Sequence, residues 1–217
     1  MFKTILKLGI IAFLLFAGNI RAQNYVPNTT FGGSGSLKNQ FNSAAGVTVT
    51  PDGYIYVADQ FNDRICVWTV SGNSFGNLTT FGGSGSGLNQ LSRPTSVTVG
   101  LDKKIYVADN FNHRISVWTV NGNNFGNFTT FGNVGSDPNQ FSYPNGISIG
   151  SDGRIYVADF LNSRICVWTV SGNSYGNLTT FGSQGGSNGE FEYPRGVTAA
   201  PDEIGRASCR ERVCSTV

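Results

Sequence analysis

An aspartate, an asparagine and an arginine recur at one spacing three times in this chain. They are Asp59, Asn62 and Arg64 in IYVADQFNDRICVWTV (55–70), Asp109, Asn112 and Arg114 in IYVADNFNHRISVWTV (105–120), and Asp159, Asn162 and Arg164 in IYVADFLNSRICVWTV (155–170). A carboxylate beside a guanidinium can form a charge-assisted, even bidentate, hydrogen bond. It could instead be a reacting group. A catalytic group is needed once, in one asymmetric setting, whereas a trio present in every unit is what a structural staple requires. Four residues separate the acid from the base, so the two face each other across a hairpin. Asn in the turn tolerates left-handed backbone and can bond locally. These nine residues are read as structural.

The elements that hold them belong to a larger repeat. FGGSGSLKNQF starts at 31, FGGSGSGLNQL at 81, FGNVGSDPNQF at 131 and FGSQGGSNGEF at 181, a period of fifty residues without insertion or deletion. Each unit holds four short apolar runs divided by turn signals. In unit one these are GVTVT (46–50), YIYVAD (54–59), RICVWTV (64–70) and LTTFG (78–82), with the turns PDG and SGNSFGN. Gly in PDG can take positive φ. Unit two reads Leu101-Asp102-Lys103 there, so its turn must differ or strain Lys103. In the third run Ile65 and Val67 point one way, Cys66 and Trp68 the other. Strands apolar on both faces belong to a sheet packed between two others. The expected fold is all-β: a β-propeller of four-stranded antiparallel blades, three of them complete, in an incomplete ring. A parallel β-helix is the weaker alternative. No segment has helical periodicity.

Both ends read differently from the repeats. Residues 1–22 have the layout of a secretory signal: Lys3 and Lys7, an apolar run from Leu8 to Gly18 too short for a comfortable membrane span, and Ala22 as a cleavage position. The expected location is secreted or periplasmic, without a stable membrane anchor. Residues 203–217, EIGRASCRERVCSTV, lose all repeat character and resemble the translation of a common sequencing adapter, so a non-native tail is expected there. Between the ends, 23–202 divides into repeats 31–80, 81–130, 131–180 and a partial 181–202. NYVPNTTFG (24–32) resembles only the last strand of a unit, a strand that would close a longer ring, so a truncated reading of a longer protein is expected.

Composition limits the partners. Residues 23–202 carry nine Lys and Arg against eleven Asp and Glu, a net of −2, which argues against nucleic acid. Cys66 and Cys166 hold equivalent places two units apart, too distant to bridge, and read as small buried packing residues. His113 has no partner His or Cys for zinc, so no metal site is expected.

The pattern Pro144-Asn145-Gly146-Ile147, Asp152-Gly153, Ile155-Tyr156-Val157-Ala158-Asp159, Asn162 and Arg164 resembles the NHL repeat, the unit of six-bladed, TolB-like propellers. Asn112-His113-Arg114-Ile115 supplies the name-giving pair, and Ala44 departs where the other units have Pro. The resemblance implies that the loops between the second and third strands and those before the first strand lie on one face. Residues that differ between units at these places are the candidate binding set: Phe61, Asp63, Phe111, His113 and Leu161 in the first group, Asn145 and Arg195 in the second, with Ala45 and Thr95 at matching positions. The expected function is a protein-, peptide- or glycan-binding module or scaffold without a cofactor. The rival is a piece of a metal-dependent propeller enzyme, lactonase-like or amidating-lyase-like, with a pore metal such as calcium and its site elsewhere in the intact protein. No catalytic residue is assigned.

Overall fold

The computed structural model describes residues 31–71, 74–121, 124–200 and 203–208. The expected signal segment (1–22), the lone strand at 24–30 and the end of the chain from 209 lie outside the described residues.

Three antiparallel sheets follow one another with sequential strand order. The first contains β1 (Ala44–Val49), β2 (Tyr54–Asp59), β3 (Arg64–Ser71) and β4 (Ser74–Gly82). The second contains β5 (Pro94–Val99), β6 (Lys104–Asp109), β7 (Arg114–Asn121) and β8 (Asn124–Phe131). The third contains β9 (Pro144–Ile149), β10 (Ile155–Asp159), β11 (Arg164–Ser171) and β12 (Ser174–Phe181). A two-stranded sheet closes the described chain, β13 (Gly196–Ala200) against β14 (Glu203–Ser208). The first six residues of the expected non-native tail thus run antiparallel to β13. The all-β reading, and the blade as its unit, hold.

The fourth strand of each unit is longer than its apolar run. Sequence places it at 78–82, yet β4 begins at Ser74, which pairs with Ser71 of β3. A bulge between Val67 and Thr69 shifts the register midway, and units two and three repeat it. The two-residue alternation breaks at this bulge, which hides the early half of the strand.

The turn between the first two strands behaves as its residues dictate. Gly53 and Gly153 have φ of 85° and 76°, and Lys103 is held at 60°. Unit two keeps the turn and bears the strain on a non-glycine residue.

The core lies between sheets. Ile65 and Val67 of sheet one share a buried cluster with Ile105, Val107 and Trp118 of sheet two. Ile115 and Val117 of sheet two do the same with Cys166 and Trp168 of sheet three. Trp118 and Trp168 therefore pack on the preceding unit, with ring centroids 4.9 Å apart for Phe81–Trp118 and 4.7 Å for Phe131–Trp168. This is the face-to-face stacking of propeller blades. Val97 of β5 is 3% exposed, whereas its counterpart Val47 on β1 is 40% exposed, with no sheet over it among the described residues.

Candidate binding face

The hairpin that carries the Asp–Asn–Arg trio organises one end of every blade. From β2 the chain passes through a single 3-10 turn, Gln60–Asn62, and leaves it at Asp63 with φ 51°. His113 and Ser163 occupy the same left-handed position at 54° and 51°. The left-handed residue is the one after the asparagine, a correction to the role expected of Asn62. Asn62 instead bridges: its Nδ2 donates to Asp59 Oδ2 at 2.8 Å and to the Gly35 carbonyl at 3.0 Å.

Asp59 is fully buried, and its carboxylate also accepts the Asn42 N–H at 2.7 Å and Arg64 Nε at 2.8 Å. The ion pair uses one guanidinium nitrogen, not two. Arg64 Nη2 donates to the carbonyls of Leu37 and Gln40, both at 2.8 Å. The arginine thereby ties the loop that opens the unit to the hairpin, which is why FG-x-x-G and NQF recur with it. Asp109 receives Ser92, Asn112, Arg114 and also Ser116 Oγ at 3.0 Å. Asp159 receives Ser142, Asn162 and Arg164. Cys66 and Cys166 are buried as expected, but each thiol also lies near its aspartate, at 3.8 and 3.7 Å. Burial pushes both thiols up to about 12, against the pull of the neighbouring arginine.

The residue after the asparagine reaches the next blade. Asp63 Oδ1 accepts the Arg93 N–H at 2.7 Å, and His113 Nδ1 accepts the Tyr143 N–H at 3.2 Å. Burial lowers the His113 pKa below its ordinary value, while Asp159 pulls the other way. Two residues expected to meet a ligand are thus engaged as links between units. Their partners Arg93 and Tyr143 sit in strained backbone, with φ of 48° and 55°, and Ser43 and Tyr193 at the same place in the other units are likewise positive at 60° and 54°.

Around these links the face is aromatic and cationic. Phe61, Phe111 and Leu161 are 49, 42 and 47% exposed. The Arg93 guanidinium carbon lies 4.3 Å from the centroid of Phe111 and 5.2 Å from that of Phe61, so it bridges rings from two units. Tyr143 stands edge-on to both Phe111 and His113, at 5.3 and 4.3 Å. Arg195 lies over Phe160 at 4.8 Å. Arg93 and Tyr143 were not among the sequence candidates. Their signal was available, since the thirteenth position of the unit reads Ser43, Arg93, Tyr143 and Tyr193.

The second candidate group comes together at the innermost strands. Ala45, Thr95, Asn145 and Arg195 line one open groove of about 530 Å³. Thr95 Oγ1 donates to the Asn145 carbonyl at 2.7 Å. The glycine after Asn145 allows the close approach: a Cβ on Gly146 would meet the Arg195 carbonyl at 2.7 Å. Among the described residues, no group of three or more His, Cys, Asp or Glu is placed to hold a metal.

Residues 141–168 match the NHL repeat family. The segments fifty and one hundred residues earlier carry the same motif. No curated protein matches the chain. Among solved structures it is similar to a streptogramin B lyase, with TM-score 0.54 and 18% identity over 75% of this chain and 47% of that one. It is also similar to a Bacteroides fragilis protein provisionally assigned as a 6-phosphogluconolactonase, with TM-score 0.59 and 15% identity over 79% and 52%. The β-propeller domain of Myceliophteria thermophila Cps50 (Swd1) gives 0.52 and 13% over 77% and 50%. At these identities the likeness is one of fold. The chain spans about half the length of each of these structures.

Proposed function

Because the chain is an array of NHL-repeat blades of a β-propeller, we propose that it is a binding module, secreted or periplasmic, that docks an extracellular protein, peptide or glycan on its hairpin-loop face. The observation that carries this reading is the continuous run of half-exposed Phe61, Arg93 and Phe111 across two blades. Exposed apolar rings gathered around polar groups mark interaction surfaces. Arg93 stands where the other units have Ser43, Tyr143 and Tyr193, and Phe61 and Phe111 stand where unit three has Leu161, while the staple beneath them is constant. The test is to probe peptide and glycan arrays with the full chain and with a Phe61→Ser/Phe111→Ser double variant. Binding should fall at least tenfold in the variant. It should not fall in Leu101→Ser, at the opposite end of the blades. Equal loss in both, or in neither, rejects the reading.

The second reading is a metal-dependent propeller enzyme whose site would lie elsewhere in the intact protein, since the groove at the innermost strands does not suit a metal. Three of its four variable positions suit a metal poorly: Ala45 has no donor, Thr95 is engaged with Asn145, and Arg195 is cationic. Calcium or zinc held at one ion per purified full-length protein would favour that reading over the first.

A further inference from the structure

Resting on the binding-module reading, we propose that Arg93 is a carboxylate-recognition site, and that its ligand is a peptide segment in which an acidic residue is flanked by apolar ones.

Three features of Arg93 single it out. It is exposed, yet its guanidinium lies over two rings, Phe61 of one unit and Phe111 of the next. Its backbone is fixed twice over, by the left-handed φ of 48° and by the N–H donated to Asp63. Among the described residues its guanidinium has no hydrogen-bond acceptor and no ion pair, whereas Arg64, Arg114 and Arg164 each pair with an aspartate and donate to backbone carbonyls. An arginine stacked on rings keeps its in-plane N–H donors, the edge that fits a carboxylate with two parallel bonds. The ordering cost of the long side chain is met before any ligand arrives.

The flanking chemistry selects a peptide. The faces of Phe61 and Phe111 that meet Arg93 are occupied by the guanidinium and so are closed to a sugar ring. The exposed remainder of each ring suits aliphatic or aromatic side chains on either side of the acid. A polyanion such as single-stranded RNA needs several phosphate contacts along a basic stripe. Here the region 23–202 is net acidic, and Arg93 is one local positive charge. Arg195 over Phe160 repeats the arrangement of cation on ring at a second point of the same face.

The test uses two fluorescein-labelled peptides, Gly-Phe-Glu-Leu-Gly and Gly-Phe-Gln-Leu-Gly, with blocked ends, titrated with the full chain by fluorescence polarisation. The glutamyl peptide should bind at least tenfold tighter than the glutaminyl one. That preference should disappear in Arg93→Ala and shrink in Arg93→Lys, which keeps the charge but not the planar fork. Both variants should stay folded, with Arg93→Ala melting only slightly below the parent, because Arg93 contributes ring contacts but no side-chain hydrogen bond to the fold. Equal affinity for the two peptides, a preference that survives Arg93→Ala, or no binding of either peptide overturns the assignment. So does tighter Arg93-dependent binding of oligouridylate or of oligogalacturonate, which would move the site to another ligand class. None of these results touches the array experiment with the Phe61 and Phe111 double variant, so the carboxylate site can fail while the binding face stands.

Discussion

Asp109 shows how a buried charge is made tolerable. Its carboxylate is wholly enclosed and takes donors from Ser92, Asn112, Arg114 and Ser116. Removing it strands a guanidinium that is only 14% exposed and leaves several donors unanswered. Asp109→Ala should therefore cost roughly 2–4 kcal/mol, the scale of a broken buried pair. Thermal or denaturant unfolding would register this, and an unchanged midpoint would mean that the staple contributes nothing. The pairing was legible in the sequence because it is local: acid and base sit at the two ends of a six-residue hairpin. The further donors were not. Ser116 lies on the strand opposite and Ser92 comes from the preceding loop, and nothing in their spacing from Asp109 announces a contact.

At the scale of the element, the turn between β5 and β6 carries an avoidable strain. Lys103 holds φ 60°, where units one and three place glycine. Left-handed backbone costs an L-residue about 1–2 kcal/mol. Glycine gives back about 0.4–1 kcal/mol through the freedom it adds to the unfolded chain. Lys103→Gly should therefore stabilise the protein by roughly 0.5–1 kcal/mol, read as a higher denaturant midpoint. A lower midpoint would show that the lysine side chain matters more than its backbone. Strand number, order and faces could be read from alternating apolar residues and from PDG, because these patterns express two-residue periodicity directly. The start of β4 could not, since the bulge near Val67 and Thr69 breaks that alternation in mid-strand. Arg93 escaped notice for a different reason: its ring partners Phe61 and Phe111 become neighbours only when two blades stack.

For the whole molecule, blades packed through apolar clusters are also linked by the side chain after two of the hairpins, Asp63 and His113, each accepting a backbone N–H of the next unit. His113 can do so only while Nδ1 is unprotonated. Its folded pKa lies below the ordinary value of 6.5 because burial disfavours the cation. The unfolded chain then binds the proton first, so this contribution is complete above pH 6.5 and declines as pH falls through the folded pKa. The melting temperature should drop more between pH 7.5 and 5 in the parent than in His113→Asn, whose amide oxygen accepts without titrating. Identical pH profiles would remove the histidine from the account. The fifty-residue period has another consequence. Because Trp118 on Phe81 and Trp168 on Phe131 make successive junctions alike, copying or deleting one unit in the gene leaves the apolar part of the junction chemically familiar. Lineages can thus lengthen or shorten such an array by whole units without inventing a new surface.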